Sequence, residues 1–98
     1  MDGRERRLAW TRVFSALASE PRLRIVELLS QGSVQCQEIL AELNLSQPAI
    51  SYHLTKLEQA GVLQKERQGT RNCYRLRKGI LELVRLILEE GEETWNTP

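Results

Sequence analysis

Between Leu45 and Leu63 the chain carries its clearest pattern. Ile50, Leu54 and Leu57 recur at helical spacing and predict one inward stripe. The ends of that helix are marked. The Ser46 hydroxyl can take a free amide proton of the first turn, and Pro48 fits where first-turn amides have no intrahelical partner. Gly61 suits the stop. The outward face carries Gln47, Ser51, Tyr52, Thr55 and Lys56, all able to hydrogen-bond and none a carboxylate. Such a face suits a helix laid in the major groove of DNA.

The flanking pattern completes an architecture. Trp10, Val13, Phe14 and Leu17 stand at i, i+3, i+4 and i+7 and predict a helix over residues 4–18. Ser19 and Pro21 open a second helix, to about Leu29, partly burying Leu23, Ile25, Val26, Leu28 and Leu29. Ser33 to Gln35 reads as short and extended. A third helix, about Cys36 to Leu43, turns Ile39, Leu40 and Leu43 inward. The tight link Asn44-Leu45-Ser46 makes it and the 45–63 stretch a helix-turn-helix. Val62 to Arg67 alternates as a strand, Gln68 to Thr70 turns, and Arg71 to Arg77 returns as a hairpin, or wing. A last helix, Lys78 to about Glu93, is nearly encircled by Ile80, Leu81, Leu83, Val84, Leu86, Ile87 and Leu88. A terminal helix of this kind is usually buried in a subunit interface. The predicted fold is mainly α with a small β-hairpin: a winged helix-turn-helix of four helices, a wing and a fifth helix, one domain over residues 4–95.

Length and charge sharpen this picture. Ninety-eight residues bury only a modest core, so an oligomer would help. A net charge of +1 points to no partner by itself, but its distribution does. Residues 62–78 hold Lys65, Arg67, Arg71, Arg75, Arg77 and Lys78 against Glu66 alone, while the chain from Gly79 on is acidic. Local positive charge of this kind is a nucleic-acid footprint. Cys36 and Cys73 are too few for a disulfide framework. Neither a signal peptide nor an apolar run able to span a bilayer is visible, so a cytoplasmic, reduced protein without membrane partners is expected.

Each candidate residue has a plainer reading beside the functional one. The 47–56 face could be only solvated, but the whole pattern favours DNA contact. His53 borders the inward stripe and reads as a packing residue or phosphate donor rather than a metal ligand. Arg67, Arg71 and Arg75 could merely solubilise a hairpin edge, yet their clustering with Lys65 and Arg77 favours phosphate or minor-groove contact. Glu89 to Glu93 reads as a solvated helix end without histidine or cysteine for a transition metal. One histidine, no glycine-rich phosphate loop and no Ser/His/Asp set leave an enzyme without candidates, and no cofactor or metal is expected.

The chain resembles the ArsR/SmtB family of bacterial and archaeal winged-helix repressors. The resemblance rests on Ala18-Ser19-Glu20-Pro21-Arg22-Leu23-Arg24-Ile25, on Leu45 to Leu54, on Leu57-Glu58-Gln59-Ala60-Gly61-Val62-Leu63 and on Tyr74-Arg75-Leu76. It implies a homodimer that sits on double-stranded operator DNA and is released by an inducer, with an interface on the first and last helices. Founding members place Cys-x-Cys at the start of the third helix. Here Val34-Gln35-Cys36-Gln37-Glu38-Ile39 has one cysteine, out of register. Another branch binds zinc through histidines on the last helix, which has none here. In winged helices the segment before the third helix often pairs with the second wing strand. If Val34 lies antiparallel to Arg75, Cys36 falls opposite or close to Cys73, where a disulfide could tie the third helix to the wing. The plainer reading is two small buried apolar residues.

The expected function is a sequence-specific DNA-binding regulator, a dimeric repressor released by a small inducer or by thiol oxidation. The competing expectation is a winged-helix protein-interaction module. The DNA-contacting set is Gln47, Pro48, Ser51, Tyr52, Thr55, Lys56, Arg67 and Arg71; Trp10, Phe14, Val84 and Leu88 form the dimer set, and Cys36 and Cys73 the redox pair.

Overall fold

Three helix starts in this chain are written by side chains that cap them. In the computed structural model, which describes residues 1–95 and side chains through residue 90, Asp2 accepts from the Glu5 amide at 2.9 Å. Ser19 accepts from Arg22 at 3.4 Å and Ser46 from Ala49 at 3.2 Å. Each cap satisfies an amide that the first turn leaves open. The elements run α1 (Gly3–Leu17), α2 (Glu20–Leu29), β1 (Gln35–Cys36), α3 (Gln37–Leu40), α4 (Gln47–Gln59), β2 (Leu63–Gln68), β3 (Arg71–Leu76) and α5 (Lys78–Trp95).

The end of α4 is equally determined. Val62 donates to the Leu57 carbonyl and Gly61 to that of Glu58, both at 3.0 Å. This paired closure needs a left-handed residue after the cap, and Gly61 supplies it at φ +81°. The chain then turns directly into β2. Gln68 pairs with Arg71, so the wing closes on Gly69 and Thr70 alone, with Gly69 at φ +64°. Positive φ at the first of two loop residues fits the right-handed twist of the strands.

The sheet is antiparallel, in the order β1-β3-β2. Its register places Gln35 opposite Tyr74 and Cys36 opposite Cys73. The segment before the third helix therefore pairs with the second wing strand. Beneath the sheet lies one core. Ile25, Leu29, Leu40, Ile50, Leu57, Val62 and Leu63 are wholly buried there, with Val26, Leu54, Tyr74, Leu76 and Val84 nearly so. Three faces of α2, α4 and the sheet thus meet at the inward stripe of α4.

Several sequence expectations need correction. The third helix does not run whole to Leu43. It stops at Leu40 and tightens into a 3-10 turn, Ala41–Leu43, ended by Asn44 at φ 60°. The shift in winding turns Ile39 outward, 40% exposed, although Leu40 is buried as expected. Leu23 also lies more in solvent than expected, at 48%. Val84 was expected on an exposed interface face, but it is 7% exposed and belongs to the core of its own chain. It packs in the apolar core, with Ile80 and Leu81 of the same helix against that core, while Arg85, the next residue, donates to the Ser30 and Gln31 carbonyls at 3.3 Å after α2.

Leu54 sits where the three faces meet. Leu54→Ala should lower the unfolding free energy by about 2–5 kcal/mol, read as a lower urea midpoint at unchanged slope. A change under about 1 kcal/mol would mean that the site collapses without leaving a cavity.

Candidate nucleic-acid interface

Burying Ile50, Leu54 and Leu57 decides what α4 presents. Gln47, Pro48, Ser51, Tyr52, Thr55 and Lys56 are all exposed, and no carboxylate stands among them. Lys56 lies over the Tyr52 ring, 5.6 Å from its centroid, and Tyr52 meets His53 edge to face at 5.2 Å. Glu58, the one acid of α4, lies on the other flank, where its charge adds to the burial that raises the Tyr74 phenol pKa.

His53 is half-buried and held. Arginine only donates, so the 3.2 Å contact from Arg22 Nη1 makes His53 Nδ1 an acceptor and leaves the ring proton on Nε2. Burial, and then the Arg22 charge, holds the imidazole pKa below its ordinary value. Both effects disfavour the imidazolium. Arg22 in turn donates from Nε to the Ala16 carbonyl at 2.6 Å, fastening α4 to the end of α1. Arg24 fastens the other side through the Leu43 carbonyl. These two arginines were not singled out in the sequence, although both lie in the Pro21–Ile25 segment that carries the family resemblance.

On the wing, Arg67 is exposed beside the turn and, among the described residues, forms no ion pair. Arg71 is exposed as well, but it reaches Glu38 at 3.0 Å. The hydrogen bond from Arg71 is the main cause that holds the Glu38 carboxyl below its usual range. Arg75 is paired with Glu66 at 2.9 Å, so its charge is already neutralised. Of the three wing arginines, Arg67 is the most available.

Cys36 and Cys73 are joined by a disulfide, with Cα atoms 3.9 Å apart, and both are buried. The next two residues touch the candidate interface. Gln37 donates to Ser51 Oγ at 3.2 Å, and Glu38 holds Arg71. Neither contact was expected from sequence, because each joins side chains of separate elements, 14 and 33 residues apart.

A second surface lies on α1 and α5. Trp10 is 58% exposed, Phe14 55% and Leu88 38%. Trp10 and Phe14 line an apolar cleft of about 490 Å³ with Val13, Ile80 and Leu83. Among the described residues no group of three or more histidines, cysteines and acids could hold a metal. Residues 92 and 93 of the acidic tail fall outside the described side chains. Among the described residues, no helix is long and apolar enough to cross a membrane.

Comparison with known proteins agrees with this geometry. The family model described as "Bacterial regulatory protein, arsR family" matches residues 19–65, from the start of α2 into β2. An arsenic resistance transcriptional regulator of Pseudomonas putida is 34% identical over 90 residues, covering 88% of this chain and 70% of the relative. The transcriptional repressor SdpR of Bacillus subtilis is 36% identical over 70 residues, covering 71% and 78%. Among solved structures, the homodimeric winged helix-turn-helix DNA-binding domain of a possible ArsR-family regulator from Mycobacterium bovis superposes with a TM-score of 0.83 at 28% identity, covering 95% of this chain and 89% of that one. These relatives are transcriptional regulators, not enzymes, as expected for this chain. With its capped helix-turn-helix, its wing and relatives matched over most of both lengths, the chain belongs to the ArsR family of bacterial regulatory proteins and has their winged helix-turn-helix fold.

Proposed function

We propose that the protein is a dimeric, sequence-specific DNA-binding repressor that works in the cytoplasm and leaves its operator when an inducer or thiol oxidation acts on it. The observation that carries the reading is the acid-free, exposed face of α4. Gln47 and Ser51 stand near its N-terminus, where recognition helices meet base edges. Pro48, Tyr52, Thr55 and Lys56 extend the contact along the groove, and Arg67 and Arg71 reach phosphate or the minor groove from the wing. The named repressor among the relatives and the homodimeric DNA-binding neighbour support it. A protein-interaction module would use the same face, but it would not bind duplex DNA with a steep salt dependence.

The dimer reading rests on the exposed apolar side chains of α1 and α5. Trp10, Phe14 and Leu88 leave a patch that a second copy would cover, with Val84 supporting it from beneath. Two copies related by a two-fold axis would read a pseudo-palindrome.

Release by thiol oxidation rests on the Cys36–Cys73 bond and on the two residues after Cys36. A hydroperoxide would take two electrons and two protons from the paired thiols, forming the S–S bond and leaving an alcohol and water. In the bonded form Gln37 occupies Ser51 and Glu38 occupies Arg71, two groups wanted by DNA. Reduction lets β1 part from β3 and frees both. Oxidation therefore opposes operator binding.

Three outcomes are expected. Gln47→Ala should cost on the order of 1–3 kcal/mol on operator DNA and less on random duplex, by fluorescence anisotropy. Equal losses on both would move Gln47 from base readout to backbone positioning. Leu88→Glu should yield a monomer in sedimentation at concentrations where the parent is a dimer, and a persisting dimer would remove Leu88 from the interface. The oxidised parent should bind operator severalfold more weakly than the reduced parent, while Cys36→Ser and Cys73→Ser ignore the oxidant. A parent indifferent to oxidation would contradict the switch.

A further inference from the structure

Between α1 and α4 lies an open cleft of about 650 Å³ that the DNA-reading role of α4 leaves unassigned. Arg12, Arg22 and Lys56 line it, with the hydroxyls of Thr11, Ser15 and Tyr52, and its lining contains no carboxylate. Among the described residues, none of the three cations forms an ion pair. Arg22 is locked in place by Ala16 and His53, neither of them an anion. Those two bonds use two of its five N–H donors, and its charge is not neutralised. The Thr11 hydroxyl already donates to the Arg7 carbonyl at 2.8 Å, which leaves those of Ser15 and Tyr52. A fixed guanidinium, two further cations and two hydroxyls are the recognition chemistry of a phosphate group.

We propose that this cleft is a phosphate seat, and that its occupant is a phosphodiester of the operator backbone beside α4. The proposal rests on the DNA-reading role of that helix. A helix with side chains is about 10–12 Å across, and the major groove is about 12 Å wide. Both flanks of a helix laid there face a wall of phosphates. Ser51 and the wing lie on one flank of α4. Tyr52 and Lys56 lie on the other, and both also line the cleft. The strand on that side then meets Arg12 and Ser15 of α1. The helix assigned to dimerisation also holds the DNA backbone, from the face next to Trp10 and Phe14.

The test is the salt dependence of binding to a labelled random-sequence duplex, which counts phosphate contacts without base readout. Arg12→Gln and Lys56→Gln should each flatten the slope of log affinity against log salt by about one unit per protomer. Arg4→Gln, on α1 but outside the cleft, removes the same charge and should change the slope by clearly less. Far-UV circular dichroism checks that each variant is folded. A second arm adds inorganic phosphate without DNA and follows the Arg22 Nε–H resonance, against chloride at equal ionic strength. A flattened slope with no phosphate-specific shift supports the backbone as occupant. A flattened slope with a saturable shift supports the seat and shows that it also takes free phosphate. A parent slope retained by Arg12→Gln overturns the proposal whatever Lys56→Gln does, because Lys56 also belongs to the DNA-contacting face of α4. If the parent binds no duplex, the DNA reading itself fails. In that case a saturable phosphate shift, lost in Arg12→Gln, would still uphold the seat, and its absence would end it.

Discussion

Ile50, Leu54 and Leu57 pack α4 onto α2 and the sheet, and everything outside depends on that contact. A helix buried along one stripe has no freedom to rotate. Its opposite face is therefore presented in one orientation, and residues 47–56 keep a constant relation to the wing. The same packing sets where the Gly61 closure sends the chain, since β2 starts only two residues later. The α4 helix and the wing are in this sense one rigid unit, with β3 joining it to β1 and α3.

Polar tethers refine the placement that packing begins. Arg22 ties α4, through His53, to the carbonyl end of α1, and Arg24 ties α2 to the turn before α4. Arg85 bonds to the carbonyl of Ser30, the cap of α2, and to that of Gln31 just beyond, which ties α5 to the end of α2. Arg22 and Arg85 bond to neutral acceptors and so position helices without cancelling their charge, while Arg24 also meets the Glu20 carboxylate at 3.8 Å. For Arg22 that charge remains at the cleft between α1 and α4.

Much of the architecture was legible because its signals are local. Ser46, Pro48 and Gly61 mark α4 within a few residues of its ends, and the stripe between them has one period. The hairpin is legible for the same reason, since Gly69 stands at the turn between two alternating arms. The break after Leu40 was not legible, because no glycine or proline marks it and Asn44 acts only through its left-handed backbone. The polar contacts of the site were the hardest to read. Gln37 with Ser51 joins α3 to α4 and Glu38 with Arg71 joins α3 to the wing, 14 and 33 residues apart, so each needs the packing of separate elements. Arg22 with His53 is of the same kind, 31 residues apart.

The central claim is that α4 enters the major groove in two symmetry-related copies. Methylation interference tests it most directly, because dimethyl sulfate marks guanine N7 in the major groove and adenine N3 in the minor groove. A duplex selected by the protein from random sequence would be methylated, bound, separated and cleaved. The account predicts guanine interference in two blocks related by a dyad, with centres about one helical turn, roughly 34–36 Å, apart. Bound complexes with no guanine N7 interference, or with interference confined to minor-groove adenines, would contradict it.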